Sequence, residues 1–151
     1  MKHLQLLLPL ILLLSIFLPA SAQTKHEVNP VYIANLLTNS LSTDEMRETC
    51  RFYQLTESTG EEGYTVFTDT HGNTIRFKGT TDPGETHSCP QVELHTKDSK
   101  KTIEKILRDT GYHKHTDAYV HGTTHALSHT RCLITSKGTH RILTFLKIHN
   151  K

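Results

Sequence analysis

Apolar residues follow three different rhythms along this chain of 151 residues. The first is a continuous run from Leu4 to Leu18 (LQLLLPLILLLSIFL), broken by Gln5, Pro9 and Ser15. Lys2 and His3 precede it, and Pro19-Ala20-Ser21-Ala22 follows with small residues at the A-x-A positions that a signal peptidase accepts. A bilayer span needs about 20 continuous apolar residues; this run is shorter, contains a proline and ends in a cleavage pattern. Residues 1–22 are therefore expected to be a signal peptide. The mature chain then begins near Gln23, carries no membrane span, and works in the periplasm or the extracellular space.

The second rhythm is helical. Residues 23–29 are mostly polar and read as a flexible N-terminal arm, ahead of a single globular domain over residues 30–151. Asn29 as a cap and Pro30 in a first turn open a pattern with Tyr32, Ile33, Leu36, Leu37 and Leu41 on one face. Ser42 or Thr43 caps a second helix, where Asp44, Glu45 and Glu48 favour the positive end of the dipole and Met46, Cys50 and Tyr53 supply the stripe. A third helix starts at Asp98 or Ser99, buries Ile103, Ile106 and Leu107, and stops at Gly111.

The third rhythm alternates. Tyr64–Asp69 and Thr74–Lys78 predict a hairpin, with Asp69 capping a type I turn and Gly72 in the left-handed position of a three-residue loop. That register puts Thr65, Phe67, Ile75 and Phe77 on one face and sets Val66 opposite Arg76 on the other. Val92 and Leu94 mark a short strand, and Ala118–His121 another. Arg131–Ser136 and Thr139–Ile148 predict a second hairpin across Lys137-Gly138, with Leu133 facing Ile142 and Cys132 facing Leu143. The fold class expected is α+β: an antiparallel β-sheet with two or three helices packed on one face. The element order also lets the halves be read as a duplicated α-β-β unit.

Composition narrows the function classes. The mature chain is the size of one ordinary domain. The formal net charge is +2 for the whole chain, and loss of Lys2 lowers it by one. That balance gives no footing for nucleic acid as a partner. Three cysteines, Cys50, Cys89 and Cys132, are too widely spaced for a zinc knuckle or a C-x-x-C motif. In an oxidising compartment they imply one disulfide and one leftover thiol, with Cys50–Cys89 favoured and Cys132 read as a buried thiol in an apolar strand. No N-x-S/T sequon occurs after the leader, which suits a periplasmic or non-glycosylated secreted protein.

Two features carry candidate chemistry. Gly79–Cys89 (GTTDPGETHSC) is turn-forming throughout, and Asp82, Gly84, Glu85 and His87 are its candidate binding residues. Twelve histidines are a heavy load, and five fall between positions 113 and 129. A helix would bring residues four apart within about 6 Å, whereas a strand separates them by about 13 Å. Gly122, Thr123 and Thr124 disfavour a helix there, so His121, His125 and His129 are not expected to share an ion. His113 and His115 lie on one side of a strand, and a third ligand would come from another element, with Asp117, His121 or His87 the candidates; His113, His115 and His121 form the candidate zinc or copper site. Without that site no cofactor is expected. No G-x-S-x-G, H-E-x-x-H or phosphate-cradling glycine loop occurs. The leading expectation is an exported, non-enzymatic binding protein with an envelope or extracellular protein partner; the alternative is a histidine-rich metal-binding protein.

Overall fold

The computed structural model describes residues 28–40, 42–58, 60, 63–78, 91–124 and 126–149. Helix α1 (Pro30–Leu37) begins as its sequence dictates, with Asn29 Oδ1 accepting from the Val31 amide at 2.9 Å. Helix α2 (Thr43–Phe52) is capped by Ser42, whose Oγ accepts from the Glu45 amide. Helix α3 (Lys100–Asp109) is capped by Ser99, whose Oγ accepts from the Thr102 amide. In each case a short polar side chain satisfies an amide that the first turn leaves without a partner.

The described residues also form eight strands: β1 (Thr56–Ser58), β2 (Tyr64–Thr68), β3 (Thr74–Lys78), β4 (Val92–Thr96), β5 (Tyr112–His115), β6 (Ala118–His121), β7 (Ser128–Lys137) and β8 (His140–His149). They form one antiparallel sheet in the order β1-β2-β3-β4-β8-β7-β6-β5. The chain is therefore mixed α+β. Two four-stranded meanders, β1–β4 and β5–β8, meet where their last strands pair, Leu94 opposite Leu143 and Val92 opposite Phe145. Each meander follows a helical segment, so what recurs is a helix plus four strands, longer than the α-β-β unit expected.

Strand alternation divides the sheet residues into two sets. One set, with Phe67, Ile75, Phe77, Val92, Leu94, Leu143, Phe145, Cys132, Tyr119 and Tyr112, forms a single buried cluster with Val31, Ile33, Ala34 and Leu37 of α1, Met46 and Cys50 of α2, and Ile103 and Leu107 of α3. Phe67 and Phe77 stack at 6.2 Å between centroids, and Tyr112 meets Phe145 edge-on at 6.0 Å.

The β2–β3 hairpin has the expected register, Phe67 opposite Ile75 and Val66 opposite Arg76. Asp69 Oδ1 accepts from the amides of His71 and Asn73, both at 2.8 Å, and Gly72 takes φ 79°. Two sequence expectations are corrected. The β7–β8 loop is Gly138-Thr139, so Cys132 faces Phe145 and Leu133 faces Thr144, two places from the predicted partners. Gly138 has φ 61°, which a two-residue loop of type II′ places at its first position, not its second. On α1, Val31 and Ala34 are buried, while Tyr32 is 44 % exposed with its ring edge-on to Tyr53. The turn of α1 towards the sheet follows its 31-34-37 row, which carries the smaller side chains.

Candidate binding face

The second set of sheet residues is mixed in character. Near the centre of the sheet, β4 alternates Val92, Leu94 and Thr96 with Glu93 and His95. Glu93 is only 8 % exposed, and a carboxylate so placed must have its charge answered. Its partners come from β3, from β4 and from the residue just before β4. Arg76, directly opposite on β3, donates Nε to Oε2 at 2.7 Å. Gln91 donates Nε2 to Oε1 at 3.0 Å, and His95 Nε2 lies 3.1 Å from Oε2. Burial by itself raises the Glu93 carboxyl; the hydrogen bonds from His95 and Arg76 and their charges outweigh it and hold the group below the ordinary value of 4.5.

Arg76 is fixed on a second side. Its guanidinium carbon sits 4.2 Å from the centroid of the Tyr64 ring, and Lys78 Nζ lies 5.0 Å from the same centroid. Beside this group opens a cavity of about 350 Å³, lined by Tyr64, Val66, Thr74, Arg76, His95 and His140 together with Gly60 and Gly72. Gly60 is there because nothing larger fits: a Cβ would stand 1.8 Å from the Tyr64 carbonyl oxygen. The wall offers hydrogen-bond donors, imidazoles and one branched aliphatic side chain.

A second cavity, of about 390 Å³, lies between the β2–β3 turn, Val28-Asn29-Pro30 and the segment entering α3. Two of its polar side chains are already committed. Asp69 is tied into its own turn through Asn73 Nδ2 as well as two amides, and Asn29 caps α1.

The histidines predicted to chelate are divided between the faces of one hairpin. His113 and His115 alternate with Tyr112 on β5 and are exposed, opposite Val120 and Ala118. His121 pairs directly with Tyr112, their ring centroids 5.2 Å apart, and so lies on the other face. Among the described residues no group of three or more His, Cys, Asp or Glu side chains is placed to hold a metal ion. Cys50 and Cys132 are free and buried. Cys89, the expected partner of Cys50, lies outside the described residues, and so do Asp82, Gly84, Glu85 and His87.

The Arg76–Glu93–His95 group was not anticipated. Its signal was present: Arg76 fell on the face away from Phe67 and Phe77, and Glu93 interrupts the apolar pair Val92 and Leu94 in a strand destined for the sheet. Comparison of the chain with protein-family models, with curated proteins and with solved structures finds no match.

Proposed function

We propose that this is an exported, non-enzymatic binding protein that receives its partner on the sheet face bearing Arg76, Glu93 and His95, with the three described helices covering the opposite face. The contacts from the helical segments favour that division. Arg47 and Arg51 of α2 reach Glu57 and Thr65, Asn35 of α1 accepts from Tyr112, and Lys147 donates to Asn39, all on the Phe67–Phe145 side of the sheet. The observation that carries the reading is Arg76, held from two directions beside a cavity of a small ligand group's size. A side chain so pre-organised loses little freedom on binding. The metal-binding alternative has less behind it, since His121 stands across the hairpin from His113 and His115.

Two measurements test the proposal. Expression of the full chain in a secreting host should yield a mature product beginning at Gln23; retention of residues 1–22 would remove the export reading. In a pull-down from extracellular fluid, Arg76→Ala should lose a partner that wild type and Lys97→Ala both retain. Equal capture by all three forms would remove the assignment to this face.

A further inference from the structure

We propose that the cavity beside Tyr64 is a carboxylate site, taking a monoanionic acidic group such as a glutamate side chain or a small aliphatic acid. The inference deepens the binding reading above and rests on it. The Arg76 guanidinium spends Nε on Glu93 and lies against the Tyr64 ring. Its two Nη groups make no hydrogen bond among the described residues, and Arg76 is part of the cavity wall. A planar fork with one edge committed and one edge open is suited to a second, two-point oxyanion contact.

Charge decides between oxyanions. Arg76 and Glu93 cancel as a pair, and both Glu93 oxygens already accept from neighbours. Lys78, over the same tyrosine ring, leaves one positive charge in excess. One excess charge matches a carboxylate and falls short of a phosphate dianion. Val66 offers an apolar wall for a short methylene chain, and about 350 Å³ suits a side-chain-sized group, not an extended ligand.

The test is an NMR titration of the mature chain at pH 7 with acetyl-glutamate-amide, acetyl-glutamine-amide, propionate and inorganic phosphate. Acetyl-glutamate-amide should shift the amides of Tyr64, Arg76 and His95 saturably, and acetyl-glutamine-amide should not. Propionate weaker than acetyl-glutamate-amide identifies a peptide side chain as the source, and the reverse identifies a free acid; both sustain the site. Arg76→Lys keeps the charge against Glu93 but removes the fork, and should weaken binding roughly ten-fold with the melting temperature little changed. Equal binding of the glutamine compound, tighter binding of phosphate, or no saturable shift would overturn the carboxylate assignment. A partner lost on Arg76→Ala without any carboxylate binding would leave the face assignment standing while this inference falls.

Discussion

Tyr112 donates its hydroxyl to Asn35 Oδ1 at 2.7 Å, across 77 positions of chain. The bond ties β5, the first strand of the second meander, to α1, the first of the described helices. Burial pushes the Tyr112 hydroxyl far above the ordinary tyrosine value of 10, so it stays a donor at any working pH. Tyr112→Phe keeps the ring against Phe145 and strands the Asn35 oxygen. The expected cost is about 1 kcal/mol, or a melting temperature lower by about 4 °C, read by thermal denaturation. No change in melting temperature would mean that this bond adds nothing to the union of the two halves.

Glu93 makes the fold sensitive to acid in a defined window. Its folded-state carboxyl titrates below the ordinary value of 4.5, so its contribution to stability is fully present above that pH. The contribution is lost as pH falls through the lowered folded value. Glu93→Gln, which cannot carry the charge, should be less stable than wild type at pH 7 by about 1–2 kcal/mol. The gap should narrow as pH falls below the ordinary carboxyl value and through the lowered folded one, as followed by urea unfolding at each pH. A gap independent of pH would mean that the charge of Glu93 is not what holds Arg76 and His95.

The two described thiols should be inert in the native state. Burial pushes Cys50 up to about 12, with the Glu57 charge adding to it, and pushes Cys132 higher still. At pH 8 neither presents a useful fraction of thiolate. Iodoacetamide should leave both unmodified on the folded protein and label both in denaturant, as read by peptide mass spectrometry. Rapid native labelling of Cys50 would show that α2 opens readily from the sheet.

Gly138 fixes the β7–β8 register through its positive φ of 61°. Gly138→Val places a β-branched residue where it is strained, at an expected cost of about 1–2 kcal/mol. Thr139→Gly, beside it, should cost far less because Thr139 is not held at positive φ. Equal losses at the two sites in chemical denaturation would mean that turn geometry does not set the pairing.

How much of this was readable in the sequence depended on how many constraints met at each point. The β2–β3 register was legible because Asp69 and Gly72 fix both ends of one short loop. In the β7–β8 hairpin Gly138 alone marked the turn, and it fits two loop placements that preserve the same faces. On α1 nearly every position is apolar, so periodicity could not choose between burying Tyr32 and burying Val31 and Ala34. The helix caps at Asn29, Ser42 and Ser99 are local chemistry and were plain. Arg76–Glu93 is a pairing between strands, and strand adjacency is set by the whole sheet, not by any window of residues. The histidine spacing failed for a related reason: His121 returns on the partner strand of a hairpin, where its direct pairing with Tyr112 sends it to the opposite face from His113.

Among the described residues the sheet does not close, and its order leaves β1 and β5 as the two outer strands. An open β edge is a template on which another chain can add, and long, flat, apolar edges seed aggregates. Here β1 is three exposed residues, Thr56-Glu57-Ser58, and β5 is four, of which His113, Lys114 and His115 are exposed. The long strands β7 and β8, with their apolar runs, are kept to the interior of the sheet. Short, polar and partly charged margins make edge-to-edge growth unfavourable, so the two ends of the ladder discourage the chain from stacking on its own copies.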